Sequence, residues 1–495
     1  MTRLPFDNSY ARLPERFFAR ISPSPVAAPR LVRLNVPLAI DLGLDPAWLA
    51  SDDGVQSLGG NRVPEGAEPI AQAYAGHQFG SFVPQLGDGR AILLGEVIDR
   101  QGTRRDIQLK GPGRTPFSRG GDGRAAIGPV LREYVLSEAM AALGIPTTRS
   151  LAVVTTGQAV VRETMLPGAV LTRVASSHIR VGTFQYFAAR GDTEAIRLLA
   201  DHVISRHYPA AAGADRPYRA LLDAVIRAQA ELIVQWMMVG FIHGVMNTDN
   251  MSIAGETIDY GPCAFMDEYD PGAVFSSIDR GARYAYGRQP AIGLWNLTRF
   301  AECLLPLLGE DDDAAVGEAK DALGSYAPAV DSAYGRGFRR KIGLHAEREE
   351  DDALIEDLLG AMAVNLADFT LTFRGLCDAS MFDGGSPADD DAVRRLFADP
   401  AAYDAWAARW RLRLAEEPLD PVARRDAMLA TNPAFIPRNH RVEAVIQAAV
   451  DNEDFAPFEE LLRVLSRPFD SKPEFAEYAE PPLAHERVRA TFCGT

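Results

Sequence analysis

The stretch F-I-H-G-V-M-N-T-D-N-M-S-I-A-G-E-T-I-D-Y-G-P-C-A-F-M-D, residues 241–267, decides how the rest of the chain is read. It gathers three hard oxygen groups, Asp249, Asn250 and Asp259. Met251, Ser252 and Ile253 can pair with Glu256, Thr257 and Ile258 across the turn residues Ala254 and Gly255, a register that sets Asn250 opposite Asp259. Side chains paired in this way have Cβ atoms roughly 4.5–5.5 Å apart, within reach of one divalent cation. The spacing predicts a magnesium site.

The order of these residues resembles the protein-kinase signature H-R-D-x-x-x-x-N followed by D-F-G. His243 and Asn250 keep the offset between histidine and metal-binding asparagine, and Asp259-Tyr260-Gly261 stands where D-F-G would. Val245 replaces the aspartate that in a kinase accepts the substrate's hydroxyl proton. Asp249 keeps a carboxylate nearby, so the pattern predicts metal chemistry with a moved or lost general base.

Working outward toward the N-terminus, Leu86-Gly87-Asp88-Gly89-Arg90 precedes an apolar run, Ala91 to Ile98, and an alternating one, Asp106 to Lys110. This resembles the first strands of a kinase N-lobe. Gly87 and Gly89 would let backbone N–H groups approach a phosphate, and Lys110 would end a strand beside it. Residues 111–128, G-P-G-R-T-P-F-S-R-G-G-D-G-R-A-A-I-G, are too glycine-rich for regular structure and form a candidate phosphate loop centred on Asp122 and Gly123. A helix from Pro129 to Leu143 carries Glu133 and Glu138, separated by roughly 140° around its axis, so only one can face Lys110. Strands are expected at residues 150–154, 158–163 and 169–174. Arg173 and Arg180 lie in mostly apolar surroundings and need anions, either internal carboxylates or bound phosphates. In A-Q-A-Y-A-G-H-Q-F-G, residues 71–80, His77 reads as a hydrogen-bonded structural histidine.

Helical patterns dominate afterwards, at 192–207, 218–239, 292–308, 312–323, 351–367, 392–416 and 442–449. The acidic runs near 310 and 350 read as solvated helix starts. These boundaries predict an α+β chain in four parts: an N-terminal wrap (1–68), an N-lobe (69–175), a C-lobe core with the metal and catalytic loop (176–310) and a helical C-terminal extension (311–495).

The net charge of −16 argues against a general nucleic-acid binder. Between Arg100 and Arg132, however, the basic residues far outnumber Asp106 and Asp122, which predicts a local anion site suited to nucleotide phosphates. Cys263, Cys303, Cys377 and Cys493 show no C-x-x-C spacing, so neither zinc nor a disulfide framework is expected. The N-terminus lacks an apolar secretion signal, and the longest apolar stretch, Leu232 to Val245, is too short to span a bilayer. The expectation is a cytoplasmic protein without membrane contact; its oligomeric state is left open.

Six blocks together resemble the selenoprotein O (SelO/YdiU) family: A-Q-A-Y-A-G-H-Q-F-G, L-G-D-G-R, L-K-G-P-G-R-T-P-F-S-R-G-G-D-G-R-A, H-G-V-M-N-T-D-N-M-S-I, D-Y-G-P-C-A-F-M-D and N-P-A-F-I-P-R-N-H. The resemblance covers nearly the whole chain, in order. It implies a bilobal, kinase-like (pseudokinase) fold that transfers AMP from ATP to protein Ser, Thr or Tyr hydroxyls with Mg2+ or Mn2+, binding ATP inverted relative to active kinases. By position it implies Asp249 as proton acceptor, Asn250 and Asp259 as metal ligands, and Asp259 also at the nucleotide. Gly87, Gly89, Arg90, Lys110, Asp122, Gly123, Arg173 and Arg180 would bind nucleotide, with Glu133 pairing to Lys110. Animal members carry selenocysteine near the C-terminus; Cys493 is the residue comparable in location here. A kinase with a displaced base and a nucleotide-binding scaffold remain the alternative readings.

Overall fold

A computed structural model describes residues 4–381 and 390–492. Strands β1 (Phe18–Arg20), β2 (Arg30–Leu34), β3 (Ile70–Gln72), β4 (Gly76–Gln78), β5 (Ser81–Val83) and β6 (Ala91–Ile98) come first in the chain. They are followed by β7 (Arg104–Lys110), β8 (Ala125–Ala126), β9 (Arg149–Val161), β10 (Met165–Ala175), β11 (Phe241–Ile242) and β12 (Ala264–Phe265). The main sheet is antiparallel and runs β1-β3-β6-β7-β10-β9-β2, with β8 also on β10. The first residues therefore do more than wrap the sheet, since they supply both of its edge strands. Two of the expected strands, at 150–154 and 158–163, are one strand, β9, which bulges where Thr155 pairs with Ala169 and Ala159 with Pro167.

The helix Ile127–Ala142 carries apolar residues around its whole circumference, a pattern that demands cover on every side. It finds that cover between β9 and β10 and two late helices, Asn439–Asn452 and Ala456–Leu465. Tyr134 meets Phe458 edge-on at 5.4 Å, and Arg132 pairs with Glu443. The C-terminal extension thus buttresses the helix that bears Glu133.

The helix expected over 392–416 is two, Asp391–Arg394 and Pro400–Leu414. Pro400 has no N–H to continue a helix but suits the first position of a new one, capped by Asp399 accepting from the Ala401 N–H at 3.0 Å. Of the acidic runs, Asp311 caps its helix by accepting from Ala314, as expected of a helix start, whereas Asp351 is fully buried against Arg413 at 2.7 Å. Helices at Tyr326–Lys341, Phe369–Ala379, Pro421–Thr431 and Ala456–Leu465 were not marked by the sequence pattern. Among the described residues, no helix is long and apolar enough to cross a membrane. Cys263, Cys303 and Cys377 are free and buried; Cys493 lies outside the described residues.

Candidate active site

Residues 241–267 form a loop closed at its base, where β11 pairs with β12 through Phe241 opposite Phe265. The internal hairpin expected within it does not form. Ser252 instead bridges Arg180, with Val181 N–H donating to Met251 O and Ile253 N–H to Ile179 O, both at 3.0 Å. Thr257 bridges Thr147 and donates to Pro146 O at 2.9 Å. A three-residue hairpin is marginal alone, and each arm is better satisfied by a neighbouring segment. The consequence favours chemistry: pairing with residues 179–181 ties the loop to Arg180.

The loop faces a cleft of about 750 Å³. Its lining brings together Gly87, Gly89, Arg90, Lys110, Asp122, Gly123, Arg173, Arg180, Asp249, Asn250 and Asp259, which are drawn from residues 87–259 of the sequence. Glu133 stands behind the wall, 1% exposed, paired with both Lys110 and Arg173. Glu138, on another face of the helix, holds Arg149 and the Ser150 N–H. Arg173 reaches on to Asp259 at 2.8 Å, and Arg180 takes the other Asp259 oxygen while donating to the Asp249 carbonyl at 2.6 Å. Lys110, Glu133, Arg173, Asp259 and Arg180 therefore form one alternating chain of charges. The two arginines that needed anions find carboxylates.

Asp249 and Asp259 are set up in opposite ways. Burial works against ionisation of Asp259, but Arg180, Arg173 and Lys110 outweigh it and hold the carboxyl well below the usual range. Asp259 also adopts φ +59°, an uncommon left-handed conformation for a residue with a side chain. His243 supports it from behind, its Nε2–H donating to Ile258 O at 2.9 Å. At Asp249, burial pushes the carboxyl up to about 6, only partly offset by Gln78, whose Nε2 donates to Oδ2 at 3.1 Å. Oδ1 of Asp249 is buried without a partner. A side chain at Gly76 would collide with that oxygen, so the glycine keeps room beside it.

At the turn before β6, Gly87 has φ +75° and packs its Cα face on the Phe117 ring, where any Cβ would clash. The loop 111–128 folds back on itself, with Gly113 N–H donating to Gly123 O at 3.1 Å, and is less irregular than expected because it includes β8. Asp122 turns its carboxylate to Arg162 at 2.9 Å. The basic segment is only partly an anion site. Arg104, Arg105 and Arg132 are engaged by Asp7, Asp99 and Glu443, and Arg114 donates to the carbonyls of Gly120 and Gly121.

The residues fit a magnesium or manganese ion. Asn250 donates its Nδ2–H to Val245 O at 3.0 Å, leaving Oδ1 without a donor among the described residues, and Asp259 adds an ionised carboxylate in the same cleft. No cluster of three His, Cys, Asp or Glu side chains suited to a metal occurs among the described residues. Magnesium usually takes one or two protein carboxylates and completes its shell with phosphate and water.

Residues that sequence reasoning passed over also shape the site. Tyr74 lies under the Arg180 guanidinium at 4.7 Å, Gln78 holds Asp249, and Asp88 is 1% exposed in the cleft wall with Oδ1 unpartnered. The only local signal for the first two was the small-residue block 71–80. His77 is the structural histidine expected, its Nδ1 meeting Gln185 Nε2 at 2.8 Å.

A model of the family described as protein adenylyltransferase SelO matches residues 1–466. The chain belongs to the SelO family. Its relatives in that family include a protein nucleotidyltransferase YdiU of Bradyrhizobium diazoefficiens, 67% identical over 491 residues and 99% of each chain. Another, from Methylorubrum extorquens and named likewise, is 68% identical over 498 residues, covering both chains fully. A third, from Rhodopseudomonas palustris, is 66% identical over 491 residues. Membership makes this chain an enzyme, a nucleotidyltransferase.

Proposed function

We propose that the cleft binds ATP and that this chain moves AMP onto serine, threonine or tyrosine hydroxyls of proteins. In the step, the hydroxyl oxygen forms a bond to the α-phosphorus while the bond from that phosphorus to the bridging oxygen breaks. The hydroxyl proton passes to Asp249, and pyrophosphate leaves with the electron pair. Gly87, Gly89, Arg90, Lys110, Asp122, Gly123, Arg173 and Arg180 hold the nucleotide, and Asn250 and Asp259 hold Mg2+ or Mn2+. The bound ion would neutralise charge developing on the triphosphate. A kinase-like division into lobes at 69–175 and 176–310 accords with a cleft between the main sheet and the 249–261 loop.

The observation that carries this reading is the contrast between the two aspartates. Asp259 is kept ionised by cations, as a metal ligand must be. Asp249 is a buried carboxylate with a raised affinity for protons and an unused oxygen, as a proton acceptor near neutral pH requires. The arginine and lysine groups of the wall supply the preorganised positive field on which phosphoryl chemistry chiefly depends.

The test is incubation with α-labelled and with γ-labelled ATP plus Mg2+ or Mn2+, following label on protein. AMP transfer predicts labelling from α only, with pyrophosphate released. Labelling from γ with ADP formed would make the enzyme a kinase, and nucleotide binding without turnover would leave a scaffold. Asp249→Asn is expected to retain ATP binding and to lose transfer by about 100-fold or more.

A further inference from the structure

The β4–β5 hairpin does more than hold Asp249. It is registered on the catalytic loop by His77 N–H donating to Thr248 Oγ1 at 2.7 Å, Gln78 to Asp249 at 3.1 Å and Phe79 N–H to Asn247 Oδ1 at 3.0 Å. From that anchored base it presents large apolar groups to solvent, with Phe79 37% and Phe82 40% exposed. The rings continue across the surface. Phe82 lies 4.9 Å from His77, His77 lies 5.2 Å from Trp295, and the Arg283 guanidinium lies 4.7 Å from Trp295. Ile278, 52% exposed, lines the cleft together with Phe79.

The charge around this patch runs against that of the molecule. Residues 276–302 carry Arg280, Arg283, Arg288 and Arg299 against two acids: Asp279, which is buried and accepts from the backbone N–H groups of Arg283 and Tyr284, and Glu302, which pairs with Arg299 at 2.7 Å. Arg283 makes no ion pair among the described residues; its guanidinium lies against the Tyr284 and Trp295 rings, and its Nε is buried without a partner. Clustered exposed aromatic groups beside an arginine without a carboxylate partner have the composition of a recognition surface. In a chain of net charge −16, a local positive rim selects an acidic ligand.

We propose that this patch docks the acceptor protein. Its occupant is a short segment in which the hydroxyl residue is accompanied by a large apolar side chain, seated on Phe82 and Trp295, and by a carboxylate paired with Arg283. The hairpin's hydrogen bonds to residues 247–249 convert docking into placement of the hydroxyl at Asp249. Placement for transfer rests on the AMP-transfer reading; docking itself does not.

The experiment therefore measures binding and transfer separately. Fluorescent peptides each carrying one serine are titrated into the full chain without nucleotide. One peptide flanks the serine with leucine and aspartate, one with leucine and lysine, and one with alanine only. The acidic, apolar peptide is expected to bind about tenfold more tightly than either other, a difference of about 1.4 kcal/mol. Phe82→Ala removes the apolar part of that preference and Arg283→Glu reverses its charge part. Both variants are expected to keep wild-type circular dichroism and ATP affinity. Equal binding of the three peptides, binding of none, or unaltered preference in both variants would overturn the proposal. In the transfer arm, the variants raise KM for the acidic peptide and leave kcat within about twofold. Patch-dependent binding with no AMP reaching the peptide would uphold docking and sink the transfer reading instead.

Discussion

Lys110, in the cleft wall, and Lys341, beneath the C-terminal helices, are 5% and 2% exposed, and the two regions treat a buried cation differently. Burial pulls both lysines toward neutrality. At Lys110 the Glu133 carboxylate opposes that pull, and the Glu133–Arg173–Asp259 chain continues into the cleft. At Lys341 no carboxylate pairs with the ammonium among the described residues; the ammonium lies 4.4 Å from the Phe373 ring and 5.4 Å from Phe369, and its pKa falls to about 7. A buried cation with a carboxylate partner beside a cavity is available to a ligand. One surrounded by ring faces in a packed core only adds cost.

Replacement by methionine should separate the two regions most sharply. Lys110→Met is expected to lower AMP transfer by at least about 100-fold, measured as label from α-labelled ATP, because a preorganised cation is lost. Wild-type transfer in that variant would remove Lys110 from the nucleotide site. Glu133→Gln leaves Lys110 and Arg173 without their shared carboxylate. It should cost about 3 kcal/mol in urea unfolding as well as activity, since breaking a buried pair strands its partners. Retained stability would show that water or Asp259 replaces Glu133.

The buttress behind the cleft gives a third measure. Phe458→Ala removes a fully buried ring from the Tyr134 face and should cost about 3 kcal/mol, with transfer falling because Tyr134 is adjacent to Glu133. If stability falls while the specific activity of the folded protein does not, the late helices serve the fold alone.

Lys341→Met should change least in function and in the opposite direction in stability. The folded pKa of about 7 lies below the unfolded value of 10.5, so between those limits the unfolded chain binds the extra proton. Wild-type stability therefore rises with pH through that window. Below about 7 the full penalty applies, partly offset by the ring faces. At pH 7 the methionine variant is expected to gain up to about 4 kcal/mol, shrinking toward zero near pH 10.5, with transfer unchanged. A flat difference across that range would mean that Lys341 stays charged in the fold.

How far the sequence could be read depended on the range of each interaction. The run Ala91 to Ile98 was legible to the residue as β6, and the 312–323 helix differed by one residue, because a short apolar run bounded by turn residues and 3.6-residue periodicity are local signals. Helix geometry narrowed the choice between Glu133 and Glu138 to one of them, the family resemblance pointed to Glu133, and packing sets Glu133 against Lys110 and Arg173. The hairpin after Asn250 failed for the same reason in reverse. Its local pattern was sound, but residues 146–148 and 179–181 offered better backbone partners.

By itself, the sequence determined the family, the helical and strand character of most segments, and the residue types gathered at the cleft. Tertiary structure alone decided that Asp249 binds a proton readily while Asp259, ten positions later, does not. Both carboxylates begin from the same chemistry, and the difference lies in neighbours brought from distant parts of the chain: Arg180, Arg173 and Lys110 outweigh burial at Asp259, whereas at Asp249 burial outweighs Gln78 and the weaker pull of Arg180. Electrostatic energy depends on distance in space, which the order of residues does not contain.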